Sequence, residues 1–265
     1  EEQAWNSQKF YWNHPLGYLH QKHFPFLQFH QNHHLSQVNS LLFLLFLHIY
    51  TCLPQFYKFF SDKEILEQVK LHNIKVTRVS NGELDNKTKG VHQGIAAIIK
   101  PYEYLDLESL IKKAKGKKVP VIVALDGIND PHNMGAILRS CDVFDVTGVI
   151  IPKYNQVPLN ATVAKTSAGA INYIPVSLVG NLSAALDKLK ENGFWVVSTD
   201  GSADKSYTDL KYDFPCVLVI GSEGNGVSKL VLKNSDFIVK IPQNGHVNSL
   251  NASVAAGILL SRIRA

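Results

Sequence analysis

From residue 119 to the C-terminus, short apolar runs rich in β-branched residues alternate with helix-patterned segments, which restricts the fold more than any other feature of this chain. Residues 119–125, VPVIVAL, read as a strand covered on both faces. Further strands are predicted at 149–151, 174–176, 194–198, 217–220 and 237–241. Helices are predicted at about 134–144, 161–168, 181–192, 227–232 and 249–263, with Gly193 as a left-handed stop after the third. The alternation predicts an α/β domain with a mostly parallel sheet over 120–265.

Upstream the pattern is sparser. Ser61-Asp62-Lys63-Glu64 reads as a capping box ahead of Ile65, Leu66 and Val69, in a helix closed by Asn73. Strands are expected at 74–79 and 94–99, the second ended by Pro101. A short helix from Leu107 runs into the lysine-rich KKAKGKK, and 106–119 reads as a linker between domains. Residues 61–105 would then be a small, incomplete α/β domain.

Residues 1–60 differ from the rest. They hold five charged residues, yet seven of the 11 histidines and nine of the 13 phenylalanines. The uninterrupted run LLFLLFL over 41–47 is far shorter than the ~20 residues that cross a bilayer. It starts too late, and lacks the cleavage pattern, for a secretory signal. A buried helix, an interfacial helix and a segment foreign to the rest of the chain all remain open, and 1–60 is left as an atypical segment. His33 and His34 are adjacent and His14, His20, His23 and His30 irregularly spaced, which leaves a metal site open here as the minor alternative. His92, His132 and His246 have no ligand spacing to one another, and the expectation is no membrane partner and no metal. Cys52, Cys141 and Cys216 lie far apart, which excludes a disulfide scaffold and fits reduced thiols in the cytoplasm. A net charge of +5 is compatible with a polyanionic partner without demanding one.

Three loops at predicted strand ends could carry chemistry. The first runs from Asp126 through Asn133 to Arg139, where Asn133 can cap a helix. The second is Gly221-Ser222-Glu223-Gly224-Asn225-Gly226 after the strand ending in Ile220, where glycines let the backbone approach a ligand. The third runs from Ile241 to Ser253, with Asn248, Ser249 and Asn251 at a helix entry. Taken singly, these loops also read as an N-cap with a surface arginine, a glycine-rich turn and a simple cap. The glycine order does not match a dinucleotide fingerprint or a P-loop.

In this order the loops resemble the three motifs of the SpoU/TrmH RNA 2′-O-ribose methyltransferases, of the SPOUT class. The resemblance rests on Asn133-x-Gly135-Ala136-x-x-Arg139, Gly221-Ser222-Glu223-Gly224-x-Gly226, and Ile241-Pro242 through Ser249-Leu250-Asn251-x-Ser253-Val254-Ala255. Lys165 to Ala170 and His92-Gln93-Gly94 resemble the RlmB-like branch, which methylates a guanosine of large-subunit rRNA. The resemblance covers about 61–265 and implies an α/β trefoil-knot domain, an S-adenosylmethionine cofactor, an RNA substrate and a homodimer. By position it implies that Ile220, Gly221, Ile241, Leu250 and Thr166 bind the cofactor. It implies that Arg139, Glu223, Ser249 and Asn251 are catalytic, with Asn133 supporting Arg139. The family's N-terminal RNA-binding domain is legible only from about 64 to 104, its opening strand and helix being unrecognisable in 1–60. Gln243 replaces a commonly apolar residue.

The chemistry follows from the ribose hydroxyl, which is scarcely acidic at neutral pH. It must be held in line with an activated methyl group and its developing negative charge must be stabilised. Arg139 suits that role and could hold the adjacent phosphate. Glu223 could be a base or could order the loop. Lys112, Lys113, Lys115, Lys117 and Lys118 are candidates for phosphate contacts. Two other classes stay open: a catalytically silent RNA-binding or ribosome-assembly protein, and a Rossmann-type nucleotide enzyme. Within the methyltransferase reading, tRNA is the alternative acceptor.

Overall fold

The computed structural model describes residues 10–12, 46–51, 67, 69–87, 95–99, 102–246 and 249–265. The chain divides into two compact units, Glu1–Tyr102 and Glu103–Ala265.

In the first unit, strands β1 (Phe10–Trp12), β2 (Phe46–Thr51), β3 (Lys75–Arg78) and β4 (Ile95–Ile99) form one sheet in the order β1-β4-β2-β3. β4 runs antiparallel to β1 and β2, and β2 runs parallel to β3. None of the helix readings of the 41–47 run holds at its C-terminal end: Phe46 and Leu47 enter β2. The run continues into Ile49-Tyr50-Thr51, residue types that favour a pleated strand. Partners on both sides, Lys75 opposite His48 and Ile95 opposite Thr51, take up the main-chain groups a helix would use internally. Strand residues thus occur within 1–60. The remainder of the run, the 61–64 capping box and His92 to Gly94 lie outside the described residues.

Asn73 does close a helical turn, at φ 50°, with the Ile74 amide donating to the Val69 carbonyl at 2.9 Å. A reciprocal capping box unforeseen in the sequence opens helix α1 (Asn81–Lys87). The Ser80 amide donates to Glu83 Oε2 at 2.8 Å, and the Glu83 amide donates to Ser80 Oγ at 3.2 Å. These Ser80 donors hold the Glu83 carboxyl below the usual carboxylate range. Leu84, fully buried, packs with Ala96 and Val79.

The second unit opens with helix α2 (Leu107–Ala114), where the sequence suggested a linker. Leu107, Leu110, Ile111 and Ala114 recur at helical spacing, and the last three are buried in the main core. Lys112 and Lys113 occupy the exposed face, and Lys117 pairs with Asp145 at 2.6 Å. Asp106 caps the helix by accepting from the Ser109 amide at 2.8 Å.

Seven strands follow: β5 (Val121–Asp126), β6 (Gly148–Pro152), β7 (Val176–Val179), β8 (Trp195–Thr199), β9 (Lys205–Ser206), β10 (Cys216–Gly221) and β11 (Phe237–Lys240). Their order is β7-β6-β5-β10-β8-β11-β9, and every pairing is parallel. All C-terminal ends therefore emerge at one edge, with Gly221 in register with Asp126. Ile122, Ala124, Val196, Val217 and Val219 point to the face covered by α2, α5 (Leu182–Glu191) and α6 (Lys229–Lys233). Helices α3 (Pro131–Val143) and α7 (Ala252–Ile263) pack on each other, as do α3 and α4 (Ala161–Thr166). Fully buried side chains such as Leu186 and Ile150 each contribute about 1.5–3 kcal/mol.

Several boundaries differ from those the sequence predicts. β7 starts at Val176, after Pro175, which has no amide to give a ladder. β9 is short and polar and has no apolar signal. Helix α3 starts at Pro131 with Asp130 as its cap, accepting from the His132 amide at 2.9 Å, so Asn133 is not the cap. Helix α7 starts at Ala252 rather than Ser249 because Asn251 caps it.

Candidate active site

The three loops singled out in the sequence leave the C-terminal edge of the parallel sheet from β5, β10 and β11. Such an edge is where open α/β sheets receive ligands. After β5 the chain turns at Gly127, φ 85°, and a Cβ there would lie 3.6 Å from Ser222 Cβ and 3.8 Å from the Asn155 carbonyl. After β10 the segment 222–226 closes on itself. The Ser222 amide donates to the Gly226 carbonyl at 3.1 Å, and the Gly226 amide returns to Ser222 O at 2.9 Å. A Cβ on Gly221 would lie 2.0 Å from the Gly226 carbonyl carbon, so only glycine lets the loop fold directly over the strand end. Asp126 Oδ2 accepts from the Ser228 amide at 2.8 Å and ties the β10 loop to β5.

A chain of amide hydrogen bonds links all three segments. The Asn133 side-chain amide donates to Glu223 Oε1. Asn251 Nδ2 donates to Asn133 Oδ1 at 2.9 Å. Asn251 Oδ1 in turn accepts from the Ser253 and Val254 amides at 2.9 and 3.3 Å, capping α7. Asn133 is buried, and both ends of its amide are satisfied. Glu223, on an exposed residue of the loop, is held at one oxygen by Asn133.

Other candidates fall differently. Arg139 is exposed and makes no hydrogen bond or ion pair among the described residues. It lies six residues beyond Asn133, ~240° round the helix. The expected support of Arg139 by Asn133 is therefore not formed, since Asn133 is engaged by Glu223 and Asn251. Thr166 Oγ1 faces α3, 3.1 Å from the Pro131 carbonyl and 2.9 Å from the Thr162 carbonyl. A Cβ on Gly135 would sit 1.9 Å from that oxygen, so Gly135 permits the close α3–α4 approach. Ile220 is buried, Gly221, Ile241 and Leu250 are half-buried, and Ser249 is exposed. The 153–157 loop borders the site but carried no motif in the sequence. Gln156 Oε1 accepts from the Ile128 amide at 2.9 Å, and the Val157 amide donates to Ile128 O at 2.9 Å.

Among the described residues, no group of three His, Cys, Asp or Glu side chains is placed to share a metal ion. Nor is any described helix long and apolar enough to cross a membrane.

Known proteins are similar to this chain in sequence and in fold. The SpoU rRNA Methylase family matches residues 120–261, and an RNA 2′-O ribose methyltransferase substrate-binding family matches residues 58–105. A protein of Staphylococcus haemolyticus assigned to the TrmH family of tRNA/rRNA methyltransferases is 47% identical over 201 residues, covering 76% of this chain and 81% of the relative. Two solved structures share the fold. The SpoU methyltransferase AviRb of Streptomyces viridochromogenes has a TM-score of 0.69 at 21% identity, covering 86% of each chain. An AdoMet-bound rRNA methyltransferase of Sinorhizobium meliloti has a TM-score of 0.69 at 22% identity, covering 86% of this chain and 83% of its own. The chain belongs to the SpoU/TrmH family of RNA 2′-O-ribose methyltransferases.

Proposed function

We propose that this enzyme transfers a methyl group from S-adenosylmethionine to the ribose 2′-hydroxyl of a guanosine in large-subunit rRNA. The observation that carries the reading is the Glu223–Asn133–Asn251 chain, which locks the three family motifs together at one sheet edge.

The residues present fit the cofactor. Gly224 stands where a side chain would meet no atom within 4 Å, so the loop leaves bare backbone facing open space. Ile220, Gly221, Ile241 and Leu250, buried or half-buried residues, offer backbone groups at the same edge for an adenosine, while the Thr166 hydroxyl is turned to the start of α3. Bound there, a sulfonium supplies a methyl group already activated for transfer. This chain's own residues must then position the ribose and manage its proton. Asn251 and Asn133 hold Glu223 in one orientation, and Ser249 presents a hydroxyl beside the helix entry. Arg139, with no side-chain partner among the described residues, is available to hold a phosphate in a bidentate fork and to stabilise the developing alkoxide.

The resemblance supports a trefoil-knotted C-terminal segment and a homodimer. A cytoplasmic setting fits Cys141 and Cys216, both buried free thiols. tRNA is the second acceptor to test, because relatives 47–48% identical to this chain over 201 residues are assigned to tRNA/rRNA methylation. The test is incubation with the cofactor and either unmodified large-subunit rRNA or tRNA, followed by nucleoside mass spectrometry. The reading expects 2′-O-methylguanosine from rRNA. The same nucleoside from tRNA alone would reassign the substrate. No methylated nucleoside, despite cofactor binding by calorimetry, would favour a silent assembly protein.

A further inference from the structure

Lys153 and Tyr154 follow β6 directly and so leave the sheet at the edge that carries the site. Tyr154 is 67% exposed, and no ring packs on it among the described residues apart from the Lys153 ammonium, 5.6 Å from its centroid. A large aromatic side chain left in water beside a cation gains nothing from burial in this fold. The loop that carries it is nevertheless firmly placed. Asn155 takes the left-handed conformation at φ 56°, which asparagine tolerates better than most residues. The Lys153 amide donates to the Val179 carbonyl at 2.8 Å. Gln156 and Val157 bond to Ile128 on the first motif's turn, as described above. The Leu159 amide donates to the Tyr104 hydroxyl at 3.1 Å, which anchors the loop's far end. Gly127 is wedged between Asn155 of this loop and Ser222 of the second motif. An exposed ring and a cation are thus carried on an anchored backbone at the border of the site.

We infer that Tyr154 is a stacking platform for an unpaired RNA base near the methylated ribose, with Lys153 contacting the adjoining phosphate. Recognition of single-stranded RNA uses this combination: aromatic faces accept any base, and cations follow the backbone. Lys153 also fits the ring less well than a phosphate, since at 5.6 Å it sits near the outer limit of attraction to the ring face. This inference rests on the RNA-methyltransferase reading and adds a contact that positions the acceptor strand.

The test measures binding of a fluorescein-labelled, mixed-sequence single-stranded RNA of about 12 nucleotides, alongside S-adenosylmethionine affinity by calorimetry. Tyr154→Ala should weaken RNA binding by about tenfold, the scale of one lost base stack. Tyr154→Phe and Tyr154→Trp should stay within about twofold of wild type, whereas Tyr154→Leu should resemble alanine. Lys153→Ala should flatten the salt dependence by about one counterion. Cofactor affinity and thermal midpoint should be unchanged in all of them, because the Tyr154 side chain is not packed. RNA affinity unchanged in Tyr154→Ala, or leucine binding as well as phenylalanine, would overturn the inference. So would a change of oligomeric state in sedimentation, which would make the ring a contact between copies of the chain. A wild-type chain that binds cofactor and the oligonucleotide but transfers no methyl group would count against the methyltransferase reading and leave this contact standing.

Discussion

The Asn133 side-chain oxygen accepts a 2.9 Å hydrogen bond from the amide of Asn251, 118 residues further along the chain. Asn251 spends its own oxygen on the α7 N-terminus, and Asn133 spends its amide on Glu223. The first residue of the first motif is thus the joint between the other two. Asn133→Ala removes both bonds, each worth about 0.5–1.5 kcal/mol, and leaves Glu223 and Asn251, both exposed, to water. It should cost about 1–3 kcal/mol in urea denaturation and at least tenfold in kcat. Loss of stability alone, with kcat intact, would make the chain of amides structural.

Arg139 offers the opposite profile. It is exposed and without a partner among the described residues, so Arg139→Ala should change stability by less than about 0.5 kcal/mol. Methyl transfer should be lost while cofactor affinity stays within a few-fold. Equal loss of cofactor binding would assign Arg139 a structural task.

The α3–α4 contact depends on a missing methyl group. Gly135→Ala drives a Cβ against Thr166 Oγ1 and to 2.8 Å from the Ser167 amide nitrogen. A destabilisation of about 1–3 kcal/mol is expected. Adding Thr166→Ala should recover only part of it, because the backbone obstacle remains; the double-mutant cycle in urea measures that fraction.

Arg264, next to last in the chain, donates to the carbonyls of Phe144 and Val119 at 3.0 Å each and of Asp145 at 2.7 Å. It fastens the end of α7 to the end of α3 and the entry of β5. Arg264→Ala should lower stability by about 2 kcal/mol, seen as a lower urea midpoint. Arg264→Lys should recover little, since one ammonium cannot span the same three carbonyls.

Stability should fall in alkali. Burial pushes the Tyr212 hydroxyl and the Cys216 thiol each up to about 12, and pushes the Cys141 thiol up as well. Unfolded, these groups ionise near pH 10 for tyrosine and 8.5 for cysteine. The folded state therefore holds more protons than the unfolded one above about pH 8.5. The stabilisation is complete below that pH and is lost as pH rises towards 12. Denaturation midpoints against pH should decline over this window, and Tyr212→Phe should reduce the slope between about pH 10 and 12. A flat profile would contradict the burial of these groups.

Much of the α/β unit was legible because its signals are local. The β-branched run at 121–126 and the glycine behind α5 fix their elements through backbone preference alone. The motif residues were legible as a set, yet their wiring was not. The six-residue spacing of Asn133 and Arg139 already turns them to different sides of a helix, yet nothing in it reveals that Asn133 bonds to residues 90 and 118 positions away. The helix from Leu107 was legible, but the lysines at 112–118 hid that its Leu110, Ile111 and Ala114 face belongs to the main core. Phe46 and Leu47, at the end of the apolar run, enter a strand where a helix was open, because a strand paired on both sides and a buried helix share one composition. Tyr154 left no signal beyond an aromatic in a polar loop; only the structure places that loop beside the motifs.

The most direct test of the account is transfer of labelled methyl from S-adenosylmethionine to unmodified rRNA, followed by complete alkaline hydrolysis. A methyl group on the 2′-oxygen blocks that oxygen's attack on the neighbouring phosphodiester. The account predicts label in an alkali-resistant dinucleotide, abolished by Arg139→Ala. Label recovered entirely in mononucleotides would place the methyl group on a base and contradict it.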